Sequence, residues 1–423
     1  MHYTGGRLRG ARRLLDFNGT SGMSESRQEE RGGASGRLAG IIFAAGGLAL
    51  FAYYVWKAGP QSIWQNIAQL GAGFIVVLAI SAVRPLVRAV AWTRCFEGGV
   101  RLRVRDALKA YLAGDALGSL TPLGMMVSEP AKAAFVRDRV PVVASISALA
   151  VENLFYMLSV ALFIFAGTVA LLLSFPLNSK LRFASYATLV VVVAVVFTGY
   201  QVVRRQWRLV SGALEALERR GVGRAFVAAR GERVRAVEAR IYGFYENNRA
   251  RFIPILALEG CFHLAGVAEV YATLYFILGQ PPAFAELALA AFVLESVNRV
   301  INVIFKFVPM RVGVDEAGTG LFTKVLKFGT TVGVTLAIIR KARVLVWTAI
   351  GVAVLVRHGL SVRSMAREAA AIAASQTGQP PPRSPAATTT ETDDGRNDRS
   401  DRSSSSNGGG DGVVNNEELT VPR

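Results

Sequence analysis

Residues 306–343, KFVPMRVGVDEAGTGLFTKVLKFGTTVGVTLAIIRKAR, decide how this chain is read. The stretch sets Arg311, Asp315, Glu316, Lys324, Lys327, Arg340, Lys341 and Arg343 between apolar runs long enough to cross a membrane. One ionisable group at the centre of such a helix costs about 2.5–3.5 kcal/mol to insert. Charges kept at that cost point to function. An earlier stretch, TPLGMMVSEPAK (121–132), has the same frame: Pro122 and Glu129 are seven apart, as are Pro309 and Glu316. Each glutamate is followed by a short amphipathic piece and then by a long apolar helix carrying charge, at Glu152 in the first copy and Arg340 in the second. We read a degenerate internal repeat, a device by which transporters build sites near the bilayer midplane.

Composition sets the class. Of 423 residues, 52% are hydrophobic and only 18% charged, where a soluble domain carries about a quarter charged residues. The apolar residues fall in runs of span length, so the expected fold is all-α: a polytopic transmembrane helical bundle with two broken-helix, re-entrant motifs. The formal charge of +18 does not indicate nucleic acid, because no basic-aromatic binding module accompanies it. The Lys and Arg residues flank apolar spans, where the positive-inside rule and anionic headgroups account for them. Cys95 and Cys261 lie at or within spans, with neither a disulfide framework nor metal-ligand spacing.

In chain order, residues 1–37 are polar, Gly-rich and basic, an expected disordered cytoplasmic segment in which Met1 or Met23 is the start. The first membrane half runs over 38–203. Its spans are expected at Leu38–Trp56, Ala72–Cys95, Pro141–Phe175 and Phe183–Val203, with a re-entrant motif near 106–140. Arg84 and Arg88 share a helix face, either snorkelling to phosphates or entering a cavity. Ser128 is placed to cap a helix beginning at Glu129. Glu152 has no cation three or four residues away, so it pairs across helices or is protonated.

A basic amphipathic linker, 204–251, holds twelve Arg against five Glu and suits the cytoplasmic leaflet. The second half, 252–360, brings spans at Ile253–Leu278, Phe284–Phe305 and Thr331–Val356 and a re-entrant motif near 306–330. Glu259 and His263, four apart, read as a core hydrogen-bonded pair in preference to half of a metal site. Glu295 and Arg299, four apart, read as a pair within one helix or as residues flanking the cavity. Arg340 and Arg343 lie one turn apart, to grip a phosphate or to neutralise Asp315 and Glu316. Residues 361–423 are expected to be mostly disordered. Seven spans would put that tail outside, while Arg357, His358, Arg363 and Arg367 argue for inside.

From about Ala39 to Leu360 the chain resembles the lysylphosphatidylglycerol synthase transmembrane, or flippase-like, family, and within it the hopanoid-cluster-associated subclass. The resemblance rests on Arg88 with Trp92, Thr121-Pro122, Glu129-Pro130 with Lys132, Glu152, Glu295, Val308-Pro309 with Gly313 and Glu316, and Arg340, Arg343 and Gly351. It implies a bacterial inner-membrane protein that handles lipids. Two departures stand out. No soluble acyltransferase domain follows the membrane part, which argues against aminoacyl transfer, and Gly124-Met125-Met126 stands where a more glycine-rich turn is expected.

The sequence therefore supports a translocator of an anionic or aminoacylated lipid. Its substrate-binding candidates are Arg88, Glu129, Lys132, Glu152, Glu295, Glu316, Arg340 and Arg343, and no catalytic residue, metal or cofactor is expected. The partners are membrane lipids with anionic headgroups and, if the chain works in a complex, lipid-biosynthesis enzymes. A membrane-embedded transferase with Glu129 or Glu316 as general base, and a scaffold of a lipid-synthesis complex, are the alternative readings.

Overall fold

Long apolar segments in lipid have no water to satisfy their N–H and C=O groups, so each must close its hydrogen bonds within itself as a helix. The computed structural model describes residues 49–120, 124–205, 239, 243–244, 247–305, 311–358 and 371–372. Among these there are helices and no strands: α1 (49–58), α2 (Pro60–Leu70), α3 (Gly73–Arg94), α4 (Val104–Leu120), α5 (Gly124–Phe135), α6 (Val142–Ser174), α7 (Ser179–Arg204), α8 (Arg249–Ile277), α9 (Phe284–Ile304), α10 (Val314–Val325) and α11 (Thr330–Arg357). All lie in one unit ending at Pro382; the other unit, from Arg383, falls outside the described residues. So do the N-terminal segment 1–37, Thr121-Pro122, most of the 204–251 linker and Val308-Pro309.

Five described helices, α3, α6, α7, α8 and α9, are long and apolar enough to cross a membrane. The 28-residue α11 has comparable length, and its Arg340, Lys341 and Arg343 are what separate it from those five. The chain is an all-α, multi-pass membrane protein.

Contacts along the helices fix their directions. The Gly73 end of α3 abuts Phe276 at the end of α8, while at its other end Arg251 donates to the Phe96 carbonyl at 3.0 Å. The two helices are antiparallel. α11 runs with α3: Thr331 bonds to the Ala58 carbonyl at 2.9 Å, Asn66 to Thr335 at 3.2 Å, and Trp347 to Ser81 at 2.8 Å.

α4 and α5 form a hairpin whose two ends lie together, because Asp106 in the first turn of α4 pairs with Arg139 just past α5. At its tip, Gly118 and Gly124 approach so closely that a Cβ on Gly124 would meet the Gly118 carbonyl at 2.7 Å. α9 and α10 make a second hairpin. α9 starts beside the end of α8, with Phe284 5.5 Å from Tyr271, and Ile301 near its end packs on Gly318 of α10. α10 then returns to the starting end, where Leu326 joins Leu70, Val77 and Ile277.

This second hairpin settles the parity of the chain. The expected spans counted the 284–305 segment as a full crossing, and α9 is long and apolar enough to be one; the count left out the return through α10. The end of α11 therefore falls on the Arg94 and Arg139 side, with His358 5.0 Å from Phe135. Both hairpins pack on α11. Gly351 lies under the Leu112 carbonyl and Ala116, and Gly333 under Thr319, Gly320 and Thr323; these two contacts are about 27 Å apart at 1.5 Å per residue. Small residues let membrane helices approach this closely.

The topology predicts a labelling pattern. In a chain with Cys95 and Cys261 replaced, cysteines at Arg101, Asp138 and His358 react with an impermeant thiol reagent from one side, and a cysteine at Gly279 reacts from the other. Labelling of positions 358 and 279 from the same side would contradict the second hairpin.

Candidate functional site

Two apolar layers enclose a charged waist. One layer gathers Leu70, Val77, Leu274, Ile277, Leu287 and Leu326; the other gathers Trp92, Phe96, Leu102, Val136, Phe155 and Ile255. Between them, helical spacing carries Arg84 and Arg88 on α3, Glu259, His263 and Glu269 on α8, Glu295 and Arg299 on α9, and Arg340 and Arg343 on α11.

Two buried carboxylates organise the waist. Glu269 accepts from Arg84 at 3.2 Å and Arg343 at 2.8 Å. Glu295 holds Arg299 on its own helix, Arg340 at 3.4 Å and Arg84 at 3.7 Å, and accepts from Asn298 at 3.3 Å. Arg84 thus bridges both. Gly266 makes room for this: a Cβ there would meet the Glu295 Oε1 at 2.5 Å. The Phe262 ring lies under Arg84 at 4.6 Å and Arg299 at 5.0 Å, a cation–π arrangement. Three guanidinium atoms of the cluster, Arg299 Nε, Arg340 Nη1 and Arg343 Nε, are buried with no hydrogen-bond partner among the described residues. Burying an unsatisfied donor of this kind costs on the order of 1–3 kcal/mol.

Closer to the basic end of α3, Arg88 clasps Glu152 through two bonds of 2.5 and 2.7 Å, reaches Asn153 at 3.0 Å, and stacks 4.0 Å above Tyr156. Glu152 thereby has the cross-helix partner that its sequence neighbourhood lacked. Glu259, fully buried, has no partner on either oxygen among the described residues. The expected Glu259–His263 bond is absent: His263 instead shares a 3.0 Å bond with Ser159, because Phe163 stacks on its ring at 4.7 Å and orients it.

The hairpins carry their own ion clusters. In the first, Lys132 is buried 3.0 Å from both Asp115 and Glu129 and 4.0 Å above the Tyr111 ring. Ser128 is not an N-cap. The helix starts earlier, at Gly124, and the Ser128 hydroxyl bonds Asp115 at 3.2 Å. In the second, Glu316 accepts the Gly313 N–H at 2.7 Å, satisfying a first-turn donor of α10, and it pairs with Lys341 at 2.7 Å. Asp315 holds Lys341 at 3.4 Å and Arg311 at 3.3 Å.

Of the sequence candidates, Glu295, Arg340 and Arg343 therefore meet in the waist, Arg88 and Glu152 pair beside it, and Glu129 with Lys132 and Glu316 sit in separate hairpin clusters. Asp315 and Glu316 are neutralised by Lys341 and Arg311, not by Arg340 and Arg343. Sequence reading left out Glu269, the second organising carboxylate, and gave Arg84 and Arg299 no place in the set. The signal was present in their depth, inside apolar spans and away from either end.

A buried pair is costly to break and cheap to replace as a whole. Glu152→Leu should lose about 3–5 kcal/mol of stability by denaturant or thermal unfolding in micelles, since it strands Arg88. Adding Arg88→Met should restore most of it. Equal losses in the single and double variants would show that the pair does not carry the α3–α6 contact.

Comparison with curated proteins and with solved structures gives no match. A family model, the lysylphosphatidylglycerol synthase TM region, matches residues 37–365, a range that takes in both hairpins, the charged waist and the whole of α3 through α11. With that match over most of its length, and a helical bundle built around buried charge, the chain belongs to the lysylphosphatidylglycerol synthase transmembrane-region family.

Proposed function

We propose that this protein binds a lipid with an anionic headgroup at the charged waist and carries it across the bilayer. One observation supports the reading above the rest: four guanidinium groups, Arg84, Arg299, Arg340 and Arg343, face two carboxylates, Glu269 and Glu295, between apolar layers. Such a surplus of cations at membrane depth is expensive to maintain without a ligand. Family membership supports a lipid-related role, and the two hairpins, entering from opposite ends and both resting on α11, suit a site reached alternately from each side.

In this reading Arg340 and Arg343 grip the headgroup, while the Lys132 and Lys341 clusters latch the hairpins and open during passage. The Arg88–Glu152 pair holds α3 against α6 beside the route. The basic end of the bundle, with Arg94, Arg101, Arg139 and Arg357, faces the cytoplasm of a bacterial inner membrane, as the positive-inside rule favours.

Arg340 can be removed without stranding a carboxylate, because Glu295 keeps Arg84 and Arg299. In liposomes holding the purified protein, a labelled phospholipid drawn from a panel of phosphate monoesters and diesters should cross, and Arg340→Gln should slow the crossing about tenfold or more, the value of one lost charge-assisted bond. Wild-type rates in that variant would overturn the assignment of the waist. Lipids that never cross, together with a modified membrane lipid that vanishes on deletion of the protein, would favour a transferase or scaffold in its place.

A further inference from the structure

We infer that the ligand of the waist is a phosphate monoester dianion and not a phosphodiester monoanion. The inference rests on the proposed function and narrows it to a class of headgroup.

Among the described ion clusters, positive charge is left over at one place. In the second hairpin, Lys341 and Arg311 meet Asp315 and Glu316, two against two. In the first, Lys132 is outweighed by Asp115 and Glu129. Arg88 and Glu152 cancel. At the waist, Arg84, Arg299, Arg340 and Arg343 stand against Glu269 and Glu295 alone, which leaves two positive charges. Glu259 does not make up the difference: it forms no ion pair among the described residues, and it lies about 15 Å along α8 from Glu269 at 1.5 Å per residue. The stretches that join the helices here, Thr-Pro-Leu at 121–123 and Lys-Phe-Val-Pro-Met at 306–310, contain no acid.

The free donors agree with the charge. Arg299 and Arg340 are each more than nine-tenths buried, and the three unpartnered atoms, Arg299 Nε, Arg340 Nη1 and Arg343 Nε, belong to one bonded network through Glu295, Arg84 and Glu269. Arg84 and Arg343 keep 12% and 15% of their side chains accessible, so the network opens on their side. A phosphate monoester offers about two negative charges and three terminal oxygens. A diester offers one charge and two. The residual charge of the site and its three donors match the monoester, and guanidinium is the group best shaped to hold it.

The test uses the full chain in nanodiscs and two lipids with identical acyl chains, phosphatidic acid and phosphatidylmethanol, which differ by one methyl group that turns the monoester into a diester. Phosphatidic acid should bind about tenfold or more tighter. Arg340→Gln and Arg343→Gln should each reduce that preference, while Gly199→Ala, at an open position with no heavy atom near its added Cβ, should leave it unchanged. Inorganic phosphate supplied as competitor separates the sources. Displacement of the lipid would assign the site to free phosphate, and lack of displacement to a lipid-borne group. Equal binding of the two lipids would overturn the dianion inference and leave the transport reading standing. A clear preference for phosphatidic acid without any lipid crossing would support the inference and overturn transport.

Discussion

The structure depends on Glu269 and Glu295 holding four arginines that come from three helices. In a bilayer the lipid tails are as apolar as the side chains, so helices gain little by burying leucine against leucine. Directional contacts must do more of the work, and here α3, α8, α9 and α11 meet because Glu269 and Glu295 gather Arg84, Arg299, Arg340 and Arg343 between them. The same contacts create the functional problem. Two anions cannot neutralise four cations, and an excess of charge between apolar layers persists only if something else offsets it.

The rest of the architecture makes that arrangement feasible. Glycines at 266, 333 and 351 remove the side chains that would hold Glu295 and the two hairpins away from their neighbours. The hairpins come from opposite ends, so α11 is contacted by one near Gly333 and by the other near Gly351, with Arg340, Lys341 and Arg343 between. α7, by contrast, is almost wholly exposed over its apolar window, as a helix facing lipid would be.

The class of fold was legible in the sequence because uncharged apolar runs of span length are the mark of helices that cross a bilayer. The Pro and Glu seven residues apart recur between the start of α4 and the end of α5 and again between the start of α9 and the end of α10. What periodicity does not carry is pairing between distant helices: Arg84 with Glu269 spans 185 residues, and Arg88 with Glu152 spans 64. Glu295 and Arg299 were readable as partners because one helical turn separates them. The crossing count lacked the return through α10: α9 has the length and apolarity of a full span, and α10 brings the chain back. Ser128 was read as a cap from the residues after it, but α5 had already begun at Gly124, and the serine serves Asp115 instead.

The most direct test of a ligand at the waist is a cryo-EM map of the full chain in nanodiscs containing phosphatidic acid. Headgroup density should lie within hydrogen-bond distance of Arg299, Arg340 and Arg343, continuous with acyl-chain density on the side where Arg84 and Arg343 are accessible. A well-resolved waist with no such density, or one whose arginines are neutralised by an acidic side chain of this same protein, would contradict it.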